Sequence, residues 1–235
     1  MKNISFFVIL LFLSLKLNSQ RNVVKNLQGF DAKKYHFGFY LGGNKMGGKA
    51  YLNNEIFNND TIYSLNIKGR TGFMFGVVTD LHLGESWDIR CLFPALTFGQ
   101  RDFEYRVKTA DDKIFTSIRS VESTYLSFPM ELKYKSLRYG NFRVYLIAGA
   151  EAGYDMVSQK NVDEFDKSIV RLNRWNYGYS YGFGAEFFLE FFKFAPQIKW
   201  TNGLNNLIIN DQTPFTNIID KMNSKIVLIS LTFEG

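Results

Sequence analysis

The sequence predicts an all-β protein: an eight-stranded antiparallel transmembrane barrel of an outer membrane, with short periplasmic turns and long extracellular loops. Three observations support this fold class. Apolar and polar residues alternate with period two along most of the chain, the connections between predicted strands alternate in length, and an export signal precedes the first strand. The 235 residues suffice for one large β domain, and the aromatic content of 17% argues against a disordered chain.

The N-terminus has the pattern of a secretory signal peptide. Lys2 supplies positive charge, an apolar run follows it, and Ser19 is the small residue at the expected cleavage point. The run is too short for a membrane-spanning helix, which needs about 20 apolar residues. We therefore predict a signal peptide at 1–19, a periplasmic N-terminal lead at 20–34 and a barrel at 35–235.

Eight segments have the alternation and length of β-strands, and none has the period of a long amphipathic helix. In chain order, the strands are predicted at 35–42, 71–82, 87–105, 121–135, 142–155, 175–190, 195–201 and 224–234. The connections between them are long, short, long, short, long, short and long. Outer-membrane barrels sort their connections in this way, whereas a soluble sandwich has no physical reason to do so.

The segment 175–190 (WNYGYSYGFGAEFFLE) indicates which face of the barrel points to lipid. An aromatic side chain occupies almost every second position, and small residues lie between them. The interior of an eight-stranded barrel is too narrow for so many rings, and in water they would form a very large apolar patch. A lipocalin-like barrel with this face inside is therefore disfavoured. We predict a lipid-facing aromatic band that contains Trp175, Tyr177, Tyr179, Tyr181, Phe183 and Phe187.

The opposite face carries charges of both signs in nearly equal number. Charges in a narrow lumen must be paired, because desolvation of an unpaired charge is expensive. The pattern therefore predicts a lumen plugged by salt bridges, without an open channel. The predicted lumen charge network contains Asp80, Arg90, Glu131, Lys133, Arg143, Glu151, Asp155, Glu186 and Lys199.

Three local features accompany this pattern. Pro94 and Pro129 fall inside predicted strands, where proline removes a ladder hydrogen bond, and bulges are expected there. Phe188 breaks the small and polar phase of its strand, and we expect the strand to leave the packed lumen at this residue. The last strand ends in an aromatic, Phe233, as is common in outer-membrane barrels.

No constellation of residues predicts catalysis, and no metal or cofactor site is expected. The only two histidines, His36 and His82, fall on the lumen face and are interpreted as interior polar groups. A single cysteine, Cys91, excludes an intrachain disulfide. The net charge of +6 does not indicate nucleic-acid binding, because no cluster of basic residues with interleaved aromatics is present.

Several motifs carry a resemblance to a known family. A basic lead and an Asp precede the strand HFGFYLGGN (36–44) within segment 22–48, LSFPMELKY (126–134) contains P-x-x-L-K-Y, and LTFGQRDFEY (96–105) contains F-G-x-R-x-x-x-Y. Together with GFGAEFF (182–188), these segments cover most of the mature chain, which resembles the PorT family of Bacteroidota outer-membrane proteins.

The resemblance implies a non-enzymatic role in the type IX secretion system, which moves cargo across the outer membrane and supports motility in gliding bacteria. It implies no catalytic residues. The expected partners are outer-membrane lipid and other secretion proteins, which would be contacted through 43–70, 156–174, 202–223 or the lead; no small-molecule substrate or nucleic acid is expected. The residue pattern alone leaves open a small outer-membrane barrel with a lipid-modifying, adhesive or passive transport role.

Overall fold

A computed structural model shows eight antiparallel strands in a closed barrel, in which the last strand pairs with the first. The structure describes residues 24–53, 62–108, 113–158, 170–210 and 215–235, so the predicted signal peptide at 1–19 lies outside the described residues. The strands are β1 (Tyr35–Leu52), β2 (Ile62–His82), β3 (Trp87–Lys108), β4 (Ile114–Lys135), β5 (Phe142–Asp155), β6 (Trp175–Phe188), β7 (Lys193–Gly203) and β8 (Ile219–Glu234). The predicted fold class is confirmed.

The only helical element in these ranges is one 3₁₀ turn before β1, Phe30–Ala32. Within the same ranges, no helix is long and apolar enough to cross a membrane.

The first four strands are much longer than their sequence pattern predicts. Residues 43–52 and 62–70, predicted as loop, extend β1 and β2, and residues 106–108 and 114–120 extend β3 and β4. The prediction was wrong here because these extensions are polar and glycine-containing. Their ladder hydrogen bonds hold them as strands, although they show no continuous apolar face. The third connection (109–113) is consequently shorter than the fourth (136–141). The two ends of the barrel therefore differ in the length of their strands as well as in the length of their connections.

Pro94 and Pro129, the two prolines for which bulges were expected, share a single irregularity. The register between β3 and β4 shifts between Cys91 and Ala95, so that residues 92–94 of β3 face only 128–129 of β4. Pro94 lies inside this bulge, as expected. Pro129 lies opposite it, and its own strand pairs with β5 in unbroken register, so the second bulge that was expected there is absent.

Side chains alternate between the two faces of the wall as the aromatic strand predicts. The six aromatic residues of the predicted lipid-facing band in β6 are all exposed on the outer face, by 38–50%. On the inner face of the same strand, Asn176, Ser180 and Glu186 are buried. Rings of neighbouring strands contact one another across the outer surface, for example Tyr181 and Trp200 with centroids 5.9 Å apart.

The end of the barrel that carries the long connections is covered by apolar side chains. Parts of these connections fold inward and pair with each other at the bridge between Leu172 and Ile208. They bury a hydrophobic cluster against the strand extensions, which includes Phe103, Tyr105 and Met222. This cluster closes one end of the lumen.

The described part of the lead covers the opposite, short-turn end. Phe30 is buried and stacks on His36 with a centroid distance of 3.9 Å, and it meets Phe188 edge-on at 5.9 Å. The backbone N–H of Asn26 donates to the Asn141 side-chain oxygen at 2.8 Å. The side-chain amide of Asn26 donates to the Phe188 carbonyl at 3.0 Å. Phe188 is the last residue of β6, so the strand gives way to the short turn where expected, and its buried side chain packs under the lead.

Candidate functional site in the barrel lumen

Arg90 is the centre of a buried network of ion pairs inside the short-turn half of the barrel. Its guanidinium donates two hydrogen bonds to the Asp80 carboxylate, at 2.7 and 2.8 Å. Its Nη2 also donates to Glu234 at 2.7 Å, and its Nη1 donates to Gln197 at 3.2 Å. A two-pronged contact of this kind fixes the geometry of the arginine as well as its charge.

The network continues around the lumen through two lysines and a second arginine. Lys133 contacts Asp80 at 3.1 Å and also pairs with Glu186. Glu186 accepts further contacts from Arg143 and, at 3.1 Å, from Lys193. Lys193 closes the circuit by contacting Glu234 at 2.6 Å.

These seven residues form a ring that we term the lumen belt. Every strand except β1 supplies one member, and all seven side chains are at most 4% exposed. At the corresponding level of β1, a Cβ on Gly38 would lie 2.8 Å from Glu234 Cγ, so a larger side chain has no room there. The members of the belt are Asp80, Arg90, Lys133, Arg143, Glu186, Lys193 and Glu234.

The lead completes the charge balance of the belt. The belt has four cationic and three anionic side chains, and Asp31 of the lead pairs with Arg143 at 2.9 Å. With the partly exposed Asp31, the cations and carboxylates of this network are equal in number, four of each. Because an unpaired buried charge is strongly destabilising, this balance explains how so many charges coexist without water.

The turn beneath the lead adds one more cation. Arg138 lies in the turn 136–141, with its guanidinium 3.7 Å from the centroid of the Phe188 ring and in contact with the Asn26 carbonyl. Burial lowers the pKa of this guanidinium. It remains charged at neutral pH because the ordinary pKa of arginine is above about 12.

Two smaller clusters lie on either side of the belt. Toward the long-connection end, Lys199 pairs with Glu131 at 2.7 Å and lies 4.0 Å from Glu151. At the short-turn rim, Asp88 lies 2.5 Å from Lys135 Nζ and 2.8 Å from His82 Nδ1. The lumen charges are therefore distributed over three levels.

The structure brings together eight of the nine residues proposed for the lumen network, in two groups. Asp80, Arg90, Lys133, Arg143 and Glu186 belong to the belt, and Glu131, Glu151 and Lys199 form the cluster beside it. Asp155 lies apart, where it accepts backbone N–H groups of Thr124 and Val157, each at 3.1 Å.

Sequence reasoning missed two members of the belt. Lys193 and Glu234 are both 1% exposed. Glu234 is in phase with the inward Ser230 and Thr232, so the period-two pattern of β8 contained the signal. Lys193 precedes the predicted start of its strand at 195, and only the true start of β7 at Lys193 brings it into phase.

The lumen has very little free space. A cavity of about 20 Å³ lies between Arg90, Gln197 and Lys199, with Tyr40 and Ser230 among its lining residues. That volume holds about one water molecule. The hydroxyl of Tyr145 donates to Gln197 at 3.0 Å beside it.

The two histidines have different surroundings. His36 is buried beneath Phe30, whereas His82 joins Asp88 and Lys135 at the rim. Across the described ranges, no group of His, Cys, Asp and Glu side chains is arranged to hold a metal ion. Cys91 is a free thiol of intermediate burial on β3.

Comparison with known proteins defines the class to which this barrel belongs. Residues 18–208 match the model of a family described as outer membrane protein beta-barrel domain, and the chain belongs to that family. It is therefore a protein of the outer membrane, with its short turns on the periplasmic side and its long connections outside the cell.

Solved structures with a similar fold have little sequence in common with it. OprG from Pseudomonas aeruginosa is 13% identical, with 86% of this chain and 94% of that chain covered and a TM-score of 0.43. Neisserial surface protein A is 9% identical, with coverages of 83% and 95% and a TM-score of 0.41. The outer membrane protease OmpT from Escherichia coli is 9% identical, with coverages of 85% and 95% and a TM-score of 0.43. No curated protein matches the sequence.

Proposed function

We propose that this barrel is a non-enzymatic component of type IX protein secretion, which supports assembly or operation of the secretion machinery and, in gliding bacteria, motility. The observation that carries the proposal is the resemblance of the β1 motif HFGFYLGGN (36–44), with its basic lead, to the PorT family. The motifs at 96–105 and 126–134 add support. In this proposal, residues 1–19 are a cleaved signal peptide and 20–34 a periplasmic lead.

The β1 motif lies where the barrel closes. A Cβ on Gly38 would lie 2.1 Å from the Phe233 carbonyl oxygen, and one on Gly42 would lie 2.1 Å from that of Ile229. The side-chain amide of Asn44 donates to the carbonyls of Phe73 and Phe98, at 3.0 and 2.9 Å. The motif therefore joins β1 to its neighbours, which supports a scaffolding role for the barrel.

The filled lumen supports a role that does not depend on conduction through the barrel. Buried charges and bulky side chains occupy the level at which a channel would pass. In this proposal, contacts with other secretion proteins are made by the extracellular extensions of β1 to β4, by the long connections, or by the periplasmic surface of the lead.

The test is deletion of the gene followed by measurement of cargo protein in the culture medium. We expect loss of cargo export, and restoration by a plasmid-borne copy of the wild-type chain. Normal export in the deletion strain would contradict the proposal. Measurement of unexported cargo in the periplasm distinguishes a secretion defect, in which cargo accumulates there, from reduced synthesis.

A His36→Gln/His82→Gln double variant separates this function from a lipid-modifying enzyme. These are the only histidines available for acid–base chemistry. The double variant should restore export in the deletion strain, provided that its heat-dependent gel shift shows a folded barrel. Loss of a lipid-modifying activity in the folded double variant would support the enzymatic alternative.

A further inference from the structure

The outer wall of the barrel carries a basic groove near the extracellular ends of β6, β7, β8 and β1. Its volume is about 310 Å³, and its lining includes Lys49, Lys221, Lys225, Tyr51, Tyr179 and Asn202. The three lysines and both tyrosines are exposed. We refer to this surface as the lysine groove.

The strand register places these residues side by side. One row across four strands consists of Tyr179, Asn202, Lys225 and Gly47. The two rows above it pair Lys49 with Asn223 and Tyr51 with Lys221. Gly47 places no side chain beside Lys225 in its row, and the groove is lined by residues of all three rows.

The groove has a positive charge that no carboxylate neutralises among the residues that the structure describes. None of its lining residues is acidic, and in the described part of the chain no ion pair involves Lys49, Lys221 or Lys225. Lys49 lies over the Tyr51 ring at 4.7 Å. Asp220 precedes Lys221 but does not line the groove. Three like charges held together in this way favour an anionic occupant.

The opposite extracellular wall shows that this charge pattern is not general. There, Lys68 pairs with Glu104 at 2.8 Å, and Arg70 pairs with Asp102 at 2.6 Å. The side chains of Lys68 and Arg70 are 59% exposed, so they are cations on the surface that nevertheless have a carboxylate partner. These two exposed cations therefore have carboxylate partners of a kind that the groove lysines lack among the described residues.

The position of the groove along the wall indicates what kind of anion it holds. The next row toward the periplasm is Tyr181, Trp200, Val227 and the exposed Lys45, and the row after it is Phe183, Ile198, Ile229 and Gly43. The groove therefore borders the apolar band at the level of tyrosine and tryptophan side chains, where lipid head groups lie. An occupant with acyl chains would place them along the apolar rows.

We propose that the lysine groove binds a phosphorylated lipid of the outer leaflet, with phosphate oxygens on Lys49, Lys221 and Lys225 and acyl chains beside Trp200 and Val227. Lysine binds phosphate as a compact point charge, and the Asn202 and Asn223 amides are available as additional donors. This inference is independent of the role in secretion, since it depends only on the outer wall.

The experiment measures lipid binding by the full chain in detergent, with native mass spectrometry as the readout. The probes are lipid A carrying both phosphates and lipid A from which both phosphates have been removed. The wild-type chain should bind the phosphorylated form in preference. A Lys49→Gln/Lys221→Gln/Lys225→Gln variant should bind it roughly 100-fold more weakly, since each lysine near a lipid surface contributes a factor of about 5.

Two matched variants control this result. Lys68→Gln removes one exposed lysine from the opposite wall and should leave binding within about 2-fold of wild type, while the triple Lys→Arg variant should retain it. Equal binding by the wild type and the triple Gln variant, or equal binding of the two lipid forms, would overturn the proposal. Displacement of the lipid by equimolar inorganic phosphate would assign the groove to a free anion instead.

Discussion

Glu186 shows most clearly how single residues maintain this barrel. Its carboxylate is fully buried and contacts Lys133, Arg143 and Lys193, which come from three different strands. None of these cations can reach bulk water from the position it occupies, because each is at most 4% exposed. The stability of the lumen therefore depends on keeping all of these charges paired.

A Glu186→Ala variant should be strongly destabilised, because it leaves buried cations short of a partner. The expected loss is about 3–5 kcal/mol of unfolding free energy. Urea titration of the purified barrel measures this loss, with the heat-dependent gel shift as the readout of the folded fraction. Glu190 is exposed in the next turn, and Glu190→Ala serves as the matched control with a change within about 0.5 kcal/mol. Equal stability of the two variants would show that the belt does not stabilise the fold.

The pairing of β1 with β8, which closes the barrel and which we call the seam, requires glycine at two positions of β1. Gly38 and Gly42 lie against backbone carbonyl oxygens of β8, and added Cβ atoms at either position would lie only 2.1 Å from those atoms. The ladder of paired residues between β1 and β8 runs from Gly38, opposite Glu234, to Leu52. Closure of the barrel thus depends on the absence of two side chains.

Gly38→Ala should therefore impede closure, since the backbone of β8 must move to admit the methyl group. We expect a destabilisation above about 2 kcal/mol and a smaller folded fraction on unboiled gels. A Cβ on Gly84 in the turn before β3 would meet no atom within 4 Å, so Gly84→Ala is the control. Wild-type folding of Gly38→Ala would contradict the seam geometry.

The lead is a second element whose packing makes a prediction. Phe30 is 4% exposed between His36 and Phe188, so Phe30→Ala removes the main apolar contact between the lead and the barrel. We expect amide hydrogens of 24–34 to exchange at least about 10-fold faster, while those of β5 and β6 remain protected. Lys33 is exposed, and Lys33→Ala should leave exchange unchanged. Faster exchange throughout the barrel would mean that the lead is part of the cooperative core.

The sequence predicted the bounds of a strand correctly where the strand contacts lipid along its whole length. The bounds of β5 were predicted correctly, because apolar residues alternate along its entire length. The ends of β1 and β2 were not, because their polar extensions have no lipid-facing stripe. In the lumen, the inward phase identified Glu186 and Arg90, but which charges meet depends on the stagger of the strands around the barrel. For that reason the contact between Lys193 and Glu234 could not be read from spacing.

At the scale of the whole molecule, the barrel is closed at three levels. A hydrophobic cluster of loop and strand residues covers the extracellular end, the lumen belt crosses the barrel, and the lead covers the periplasmic end. Between the cluster and the belt, a cavity for about one water molecule remains beside Arg90. In the described part of the chain, the lumen of this outer-membrane barrel is therefore plugged.

Single-channel recording with the purified chain in a planar lipid bilayer measures whether the lumen is plugged. We expect insertion without steady conductance, because the charges of the belt are paired across the lumen. The Glu186→Ala variant, in whatever fraction remains folded, should show brief openings more often than the wild type. A large, steady conductance of the wild-type protein would show that the lumen is open and that the belt does not plug it.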